Sequence, residues 1–358
     1  MMKLENIRLR RFRLPLAGEL RWGEGKSLAA LEHLLVEVRL GGGYVGRGEA
    51  AVRPTIYGET AASIESAIGW LEPLLRRIDL EPPSLVRKTL DRLPFNFAAR
   101  AALEMAIWEA RAAALGRPLA EMLPHARERA RVSFIVGQGS VAETLARAAF
   151  AYERGVRVFK LKTGGGGGED EERITALADE FPDAEVYVDA NETLEPRHAL
   201  KTLAGWRGLG VTMVEEPLPV QLIEERRRLR ASGVLPLIAD DSVFSLRDAE
   251  RELELDTFDV INVKPARSGF CWSIGMLERA RVRDKGAMIG SQAMSSYGAA
   301  RAALLAFHPA VDRPSELSFH LLAGRGFADF PPIKDGWIYR DEIAAVEFDG
   351  AAFARYEL

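Results

Sequence analysis

The chain has 358 residues, 47% hydrophobic and 28% charged, with a formal net charge of −4. At about 150 residues per domain this length fits two domains, or one large barrel with an attachment, and the ordinary composition excludes disordered, collagen-like and low-complexity chains. No apolar run approaches the roughly 18 residues of a membrane span, the mildly acidic balance offers no footprint for nucleic acid, and the single Cys271 excludes a disulfide framework or a cysteine-based zinc cluster. One cysteine suits a reducing, cytoplasmic setting. Residues 1–16 alternate charged and apolar side chains without a signal-peptide core, so they read as a strand of the mature protein.

In chain order, residues 3–15, 32–40 and 43–49 are strand-like and are followed by helices, among them 98–115, where Ala and Leu recur at helical spacing. Residues 1–125 are therefore expected to form an α+β domain. From about residue 130, short β-branched runs alternate with amphipathic stretches. Strands are predicted at 131–136, 156–162, 185–189, 211–215, 235–240, 258–264, 287–291 and 315–319. Helices are predicted between them at 141–154, 169–180, 196–206, 220–231, 246–253, 272–283 and 297–306. The tail from 324 to 358 carries strand and turn material at 336–339 and 345–349, expected to return and pack on the first domain.

The polar residue ending each strand recurs with a steady step. Lys162, Asp189, Glu215, Asp240 and Lys264 are 27, 26, 25 and 24 residues apart, and Ser291 and Ser318 follow at 27 and 27. A strand-plus-helix unit of about 25 residues is the period of a (β/α)8 barrel. An open doubly wound sheet shares the alternation, but eight near-equal units favour closure. The predicted fold is an α/β chain, a (β/α)8-type barrel spanning 126–323 beneath a capping domain built from 1–125 and the tail.

Polar residues at the C-terminal ends of barrel strands converge on one mouth. Asp189, Glu215 and Asp240, on three adjacent strands, would repel one another there without a cation. Hard oxygen ligands with room for water and substrate suit Mg2+, or Mn2+ in its place. Helix N-caps are the alternative role for each acid taken alone. Only nine of the 48 basic residues are lysines, and Lys160, Lys162 and Lys264 sit within or at the end of strand-like segments, where lysine is costly unless paired or used. Lys160 and Lys162 point to one face of a strand. Lys160 is expected beneath Lys162, lowering its pKa and readying it as a base. Strands two and six oppose each other in an eight-strand ring, so Lys162 and Lys264 would face one another across the cavity. Such a pair can take and return an α-proton on opposite faces of a carboxylate while a metal stabilises the enediolate.

The run Lys160-Leu161-Lys162, Asp189-Ala190-Asn191, Glu215-Glu216-Pro217, Asp240-Asp241-Ser242 and Lys264 resembles the enolase superfamily, and within it the muconate lactonising (muconate cycloisomerase) subgroup. That subgroup also includes o-succinylbenzoate synthases, N-succinylamino acid racemases and dipeptide epimerases. Gly46 to Ala50, Tyr57-Gly58-Glu59 and the 98–108 helix resemble its capping domain, so the likeness covers nearly the whole chain. It implies Asp189, Glu215 and Asp240 as metal ligands and Lys162 and Lys264 as bases. Asn191 and Asp241 would orient waters or a lysine behind them. Asp241 stands where the family usually has Glu, Glu109 follows Trp108 where Asp is usual, and the usual Pro-Gly-Leu-Gly segment is missing near 343–346. No histidine ends strand seven, which argues against the mandelate racemase branch. His308 and His320 read as structural or peripheral.

Substrate choice is expected from two capping loops, Arg21-Trp22-Gly23-Glu24 and Arg53 to Tyr57, and from the ends of strands seven and eight, with Ser291, Glu316 and Ser318. Dipeptide epimerases carry an Asp-x-Asp pair that holds an ammonium group; Glu316-Leu317-Ser318 does not reproduce it, which favours an acylated or amine-free carboxylate. The glycine run 164–168 precedes Glu169-Asp170-Glu171-Glu172 rather than Gly-Lys-Ser/Thr, and four acids at a helix start repel phosphate. Cys271, between Phe270 and Trp272, reads as a packed thiol. The expected activity is Mg2+-dependent α-proton abstraction from a small-molecule carboxylate, as racemisation or epimerisation of an N-acyl amino acid or dipeptide. Syn β-elimination and cycloisomerisation need the same residues. A non-catalytic metal-binding scaffold is the non-enzyme alternative, and the resemblance implies a symmetric homo-oligomer.

Overall fold

Two long strands open the chain. β1 (Leu4–Trp22) and β2 (Lys26–Leu40) form an antiparallel hairpin, and β3 (Tyr44–Ala50) pairs with the far side of β2. The computed structural model describes residues 2–22, 25–164 and 168–358. Gly23 and Glu24 of the first capping loop, and 165–167 of the glycine run, lie outside the described residues. Alternation along β2 buries Leu34, Val36, Val38 and Leu40, and the helix Phe97–Ala114 lays its alanine-rich face on this sheet. A side chain at Gly46 would stand 2.1 Å from the Ala106 carbonyl oxygen, and one at Gly48 would stand 2.0 Å from that of Ala102. Only glycine allows helix and sheet to approach so closely.

The barrel sheet is parallel and runs in sequence order. Its strands are β5 (Phe134–Val136), β6 (Val158–Lys162), β7 (Glu185–Asp189), β8 (Val211–Glu215), β9 (Leu237–Ala239), β10 (Val260–Val263) and β11 (Gly286–Ile289). Before it, β4 (Arg129–Arg131) pairs antiparallel with β12 (Trp337–Tyr339) of the tail. The single strand expected over 131–136 is thus two, because the Val132 N–H turns away to the Gly336 carbonyl. The eighth strand expected over 315–319 is not regular. The Leu317 N–H bonds back to Ser315, and the chain enters the helix His320–Ala323. Closure survives in two residues: Ser133 N–H donates to the Ser315 carbonyl at 2.8 Å, and Glu316 N–H donates to Ile289 at 2.8 Å. The helix after β10 starts at Pro265 rather than at 272. Residues 345–349 form no strand and lie between the short helices Arg340–Ala344 and Gly350–Phe353. The tail ends against β1, where Arg13 N–H bonds Tyr356 and Phe353 packs edge-on to Phe12. Among the described residues no helix is long and apolar enough to cross a membrane.

Side chains two residues apart on a strand share a face, so the barrel interior is layered. Val158, Tyr187, Met213, Ile238, Val260 and Met288 make an apolar floor. Two residues further along the same strands come Lys160, Asp189, Glu215, Asp240, Asn262 and Gly290, and two more bring Lys162 and Lys264 to the rim. A side chain at Gly290 would strike Asn262 and Lys264, so glycine there leaves room for the polar layer.

Candidate active site

The lower polar layer is a closed ion cluster. The Lys160 ammonium donates to Glu215 at 2.6 Å and Glu316 at 2.5 Å, and lies 2.9 Å from Asp189. Burial alone would lower the pKa of Lys160, but the three carboxylates outweigh it and hold the ammonium well above its ordinary value. Lys160 lies beneath Lys162 as expected, yet carboxylates meet its charge on three sides instead of leaving it directed at Lys162. Asn262 donates to Glu215 at 3.1 Å and to Glu316 at 3.0 Å. Burial, with Asp189 and Glu316 beside it, drives the Glu215 carboxyl well above the usual range.

At the rim the two lysines are anchored separately. Lys162 donates to Asp189 at 2.6 Å and to the side-chain oxygen of Asn191 at 3.0 Å. Against burial, Lys160 and Lys162 together hold Asp189 below the ordinary range. Lys264 donates to Asp240 at 2.5 Å, and Arg267 donates to the other oxygen of Asp240 at 2.9 Å and to its carbonyl at 2.7 Å. These two cations hold Asp240 well below the carboxylate range although it is buried. Asp241 is half-buried, 3.8 Å from Arg267, and is pushed up to about 6 by burial and by Asp240 beside it. Among the described residues no three carboxylates, histidines or cysteines already close round one point; each of the three expected metal-binding carboxylates faces a cation instead.

The second acid of the Glu215-Glu216 pair shapes the next loop. Glu216, at a φ of 35°, accepts from the N–H groups of Asp240 at 2.7 Å and Ser242 at 2.9 Å, and from the Ser242 hydroxyl at 2.5 Å. It thereby fixes the turn that presents Asp240 and Asp241. In the sequence Glu216 stands out only within the Glu215-Glu216-Pro217 run, without a role, and Asn262 and Arg267 do not stand out at all. Asn262 was findable as the residue two before Lys264 on the same strand face; Arg267 was not, because its helix was expected to begin later.

Above the polar layers lies a cavity of about 260 Å3. Lys162 and Lys264 both line it, on strands separated by β7, β8 and β9, together with Lys160, Asp240, Asp241 and Asn191. Its upper wall is mixed: Leu20, Trp22, Leu28, Ile56 and Phe244 stand beside Lys26, Thr55 and Glu192. The capping domain is tied down over it by the buried Arg53, which donates to the carbonyls of Gln292 at 2.6 Å and Ala293 at 3.1 Å. Glu49, paired with His33 at 2.6 Å, also receives the Ser295 N–H at 3.0 Å.

The residues expected to touch substrate divide. Trp22, Ser291 and Glu316 line the cavity. Both Glu316 oxygens are engaged, one by Lys160 and Asn262 and the other by the Ser291 N–H at 2.8 Å. Arg21, Tyr57 and Ser318 are not in the cavity wall. Arg21 turns out to Glu19 at 2.8 Å, while its carbonyl holds the Gln138 N–H. Tyr57 packs edge-on against Phe244, with its buried hydroxyl unpartnered. Ser318 donates inward to the Ser133 carbonyl at 2.7 Å, because the broken eighth strand turns it away from the mouth.

Comparison with known proteins accounts for both parts of the chain. A family model described as mandelate racemase / muconate lactonizing enzyme, N-terminal domain, matches residues 26–124, and one described as enolase C-terminal domain-like matches residues 143–343. An L-Lys-D/L-Arg epimerase from Methylococcus capsulatus is 32% identical over 254 residues, covering 69% of this chain and 70% of that one. An N-succinylamino acid racemase from Thermus thermophilus is 31% identical over 277 residues, 75% of this chain and 72% of its own. The crystal structure of a muconate lactonizing enzyme from Mycobacterium smegmatis, in complex with muconolactone, superposes with a TM-score of 0.92 at 29% identity, over 99% of this chain and 100% of that one. Spanned by these two family models and aligned nearly end to end with such an enzyme, the chain belongs to the enolase superfamily, in its muconate lactonizing enzyme-like subgroup, and is an enzyme of the isomerase type.

Proposed function

We propose that the protein racemises or epimerises a carboxylate substrate, an N-acyl amino acid or a dipeptide with an apolar side group, by α-proton transfer between Lys162 and Lys264. The single observation that carries this is the pair of lysines lining one cavity from strands on opposite sides of the barrel, with Asp189, Glu215 and Asp240 on the strand ends between them. Enzymes of this family generally work with a metal ion. The donor set fits a divalent cation: three buried carboxylates on consecutive strands are hard oxygen ligands, and the Lys160 ammonium bridging Asp189 and Glu215 marks where positive charge is accepted. Asp189, Glu215 and Asp240 would hold Mg2+, or Mn2+ in its place, and a bound ion supplies the charge that stabilises an enediolate.

The rest falls to the chain itself. One lysine, neutral when the substrate arrives, takes the α-proton and becomes an ammonium. The other, as an ammonium, delivers a proton to the opposite face of the same carbon, which inverts it. Asn191 orients Lys162, and Arg267 keeps Asp240 aligned beside Lys264. The apolar side chains in the wall, Trp22, Ile56 and Phe244 among them, suit a hydrophobic side group. Glu316 is tied to Lys160, so it is not available to grip a free α-ammonium, and this favours an acylated amine. A second reading, cycloisomerisation, is favoured by the end-to-end superposition on the muconate lactonizing enzyme.

Incubation in D2O with Mg2+ and panels of N-acyl amino acids, dipeptides and cis,cis-muconate separates these readings. Deuterium entering the α-carbon of an N-acyl amino acid or dipeptide is expected. Turnover of muconate alone would select the second reading, and no exchange in any panel would overturn both.

A further inference from the structure

Away from the mouth, the seam between the helix Phe97–Ala114 and the helix that follows Lys264 contains a buried carboxylate, Glu104. One oxygen of Glu104 accepts from Arg87 at 2.7 Å, and the other accepts the backbone N–H of Cys271 at 2.7 Å. The guanidinium groups of Arg87 and Arg100 lie over the Trp272 ring at 4.3 and 4.5 Å, and Asp91 binds both arginines. The contact is thus braced from several directions.

What Glu104 touches is a break in a helix. Pro265–Val282 is interrupted at Gly269, whose φ of 67° and ψ of −177° are non-helical, and a side chain there would stand 2.5 Å from the Glu104 carboxylate. The interruption leaves one short turn, Pro265 to Ser268, capped by Lys264 and carrying Arg267, and a longer helix that restarts beyond the break. A helix start leaves N–H groups without intrahelical partners and favours a negative charge, and Glu104 supplies both needs for Cys271. The break at Gly269 sets the angle between the short turn, which carries Arg267 and is capped by Lys264, and the longer helix beyond it, so a change there bears on both cations that hold Asp240.

We infer that Glu104 is a positioning residue for Lys264: from the opposite side of the seam it locks the Gly269 break and so aims Lys264 and Arg267 into the barrel mouth. This rests on the proposal that Lys264 is one of two bases acting on opposite faces of the substrate. Lys162 has a separate brace on the other wall, the buried Arg173, which donates to the Lys162 carbonyl at 2.9 Å, so the effect of Glu104 is confined to one face.

The test follows deuterium entry from each pure enantiomer of the N-acyl amino acid that exchanges fastest in the screen above. Lys264→Ala first identifies the enantiomer that depends on Lys264. Glu104→Gln, which keeps the size of the side chain but loses its charge, should then lower kcat for that enantiomer roughly 10- to 100-fold, the scale of about a 1 Å misplacement, with KM little changed. Exchange of the other enantiomer should stay within about two-fold. Equal losses on both enantiomers, a loss carried by KM alone, or no loss would overturn the inference. Should Glu104→Gln not fold, Arg87→Gln, which removes one brace but keeps the Cys271 bond, is expected to give a smaller loss on the same enantiomer, and an even loss on both would again overturn it. Unimpaired exchange of both enantiomers by Lys264→Ala would instead remove the two-base proposal itself, and the role of Glu104 with it.

Discussion

Lys162 and Lys264 reach the same cavity from opposite walls, but they are held in unlike ways. Lys162 is the last residue of a regular strand, and its partners, Asp189 and Asn191, both come from the neighbouring strand end. Lys264 follows the end of β10, caps a one-turn helix, shares Asp240 with Arg267, and is backed by a glycine break braced by a buried acid of the capping domain. Strand register carries both lysines to the rim; the first is then held by Arg173 on its carbonyl and by the neighbouring strand end, and the second by contacts that reach into the capping domain. Two groups that would do mirror-image chemistry need not be built symmetrically, and a change remote from the mouth can weaken one face of the reaction alone.

The largest expected effects test whether the two walls act as a pair. Lys162→Ala and Lys264→Ala should each abolish inversion, a loss of about 10²- to 10⁴-fold for removing an acid–base group, while α-proton exchange persists for one enantiomer in each variant, a different one in each. Full activity in either variant would break the comparison. Next in size is Asp189→Asn, which removes a charge that faces both Lys160 and Lys162. Removing one partner of a buried ion pair costs about 3–5 kcal/mol of stability; because Asp189 is also one of the three carboxylates proposed to hold the metal, Mg2+ titration followed by thermal unfolding should show a much weaker stabilising effect, and exchange should fall on both faces together. Loss on one face only would show that Asp189 serves Lys162 alone.

A smaller effect sharpens the contrast. Asn191→Ala removes one of the two partners of Lys162 and should slow exchange about ten-fold on the Lys162 face, consistent with the loss of roughly 1.4 kcal/mol in orientation, leaving the Lys264 face intact. Enantiomer-resolved exchange kinetics measure this directly. The last prediction concerns stability only. His320 is buried against Phe330, and burial lowers its pKa to about 4. Its unfolded value is about 6.5, so stability is full above that value and is lost as pH falls from 6.5 towards 4, by up to about 3 kcal/mol. In His320→Gln, the urea midpoint should fall less between pH 7.5 and pH 5 than in the parent, with the enantiomer ratio of exchange unmoved. A parallel fall in both proteins would show that His320 is not the group responsible.

Much of the barrel was legible because strand and helix signals are local. The end residues of β6, β7 and β8 were placed on Lys162, Asp189 and Glu215 from β-branched runs and a near-constant step. The eighth strand is shorter than its composition suggests: the 315–319 segment is suitable for a strand, but the Leu317 N–H folds back to Ser315 and leaves only two residues to close the ring. Ser318 turns inward for the same reason, since an intact strand would have aimed it at the mouth. Arg21 and Tyr57 lie on the capping loops, but their side chains point to Glu19 and Phe244, an outcome that depends on which neighbours the folded chain brings near.

By itself the amino-acid order determined the repeat, the period-two stacking that carries Lys160 and Lys162 on one face, and the acids at successive strand ends, since each follows from backbone geometry over a few residues. Only the tertiary structure decided that Lys160 is enclosed by Asp189, Glu215 and Glu316, that Asn262 joins them, and that Glu104 meets the break at Gly269. The Lys160–Glu316 contact alone joins residues 156 positions apart. Distance in sequence leaves no local trace of an electrostatic contact, because a charge is stabilised by whatever packing places beside it.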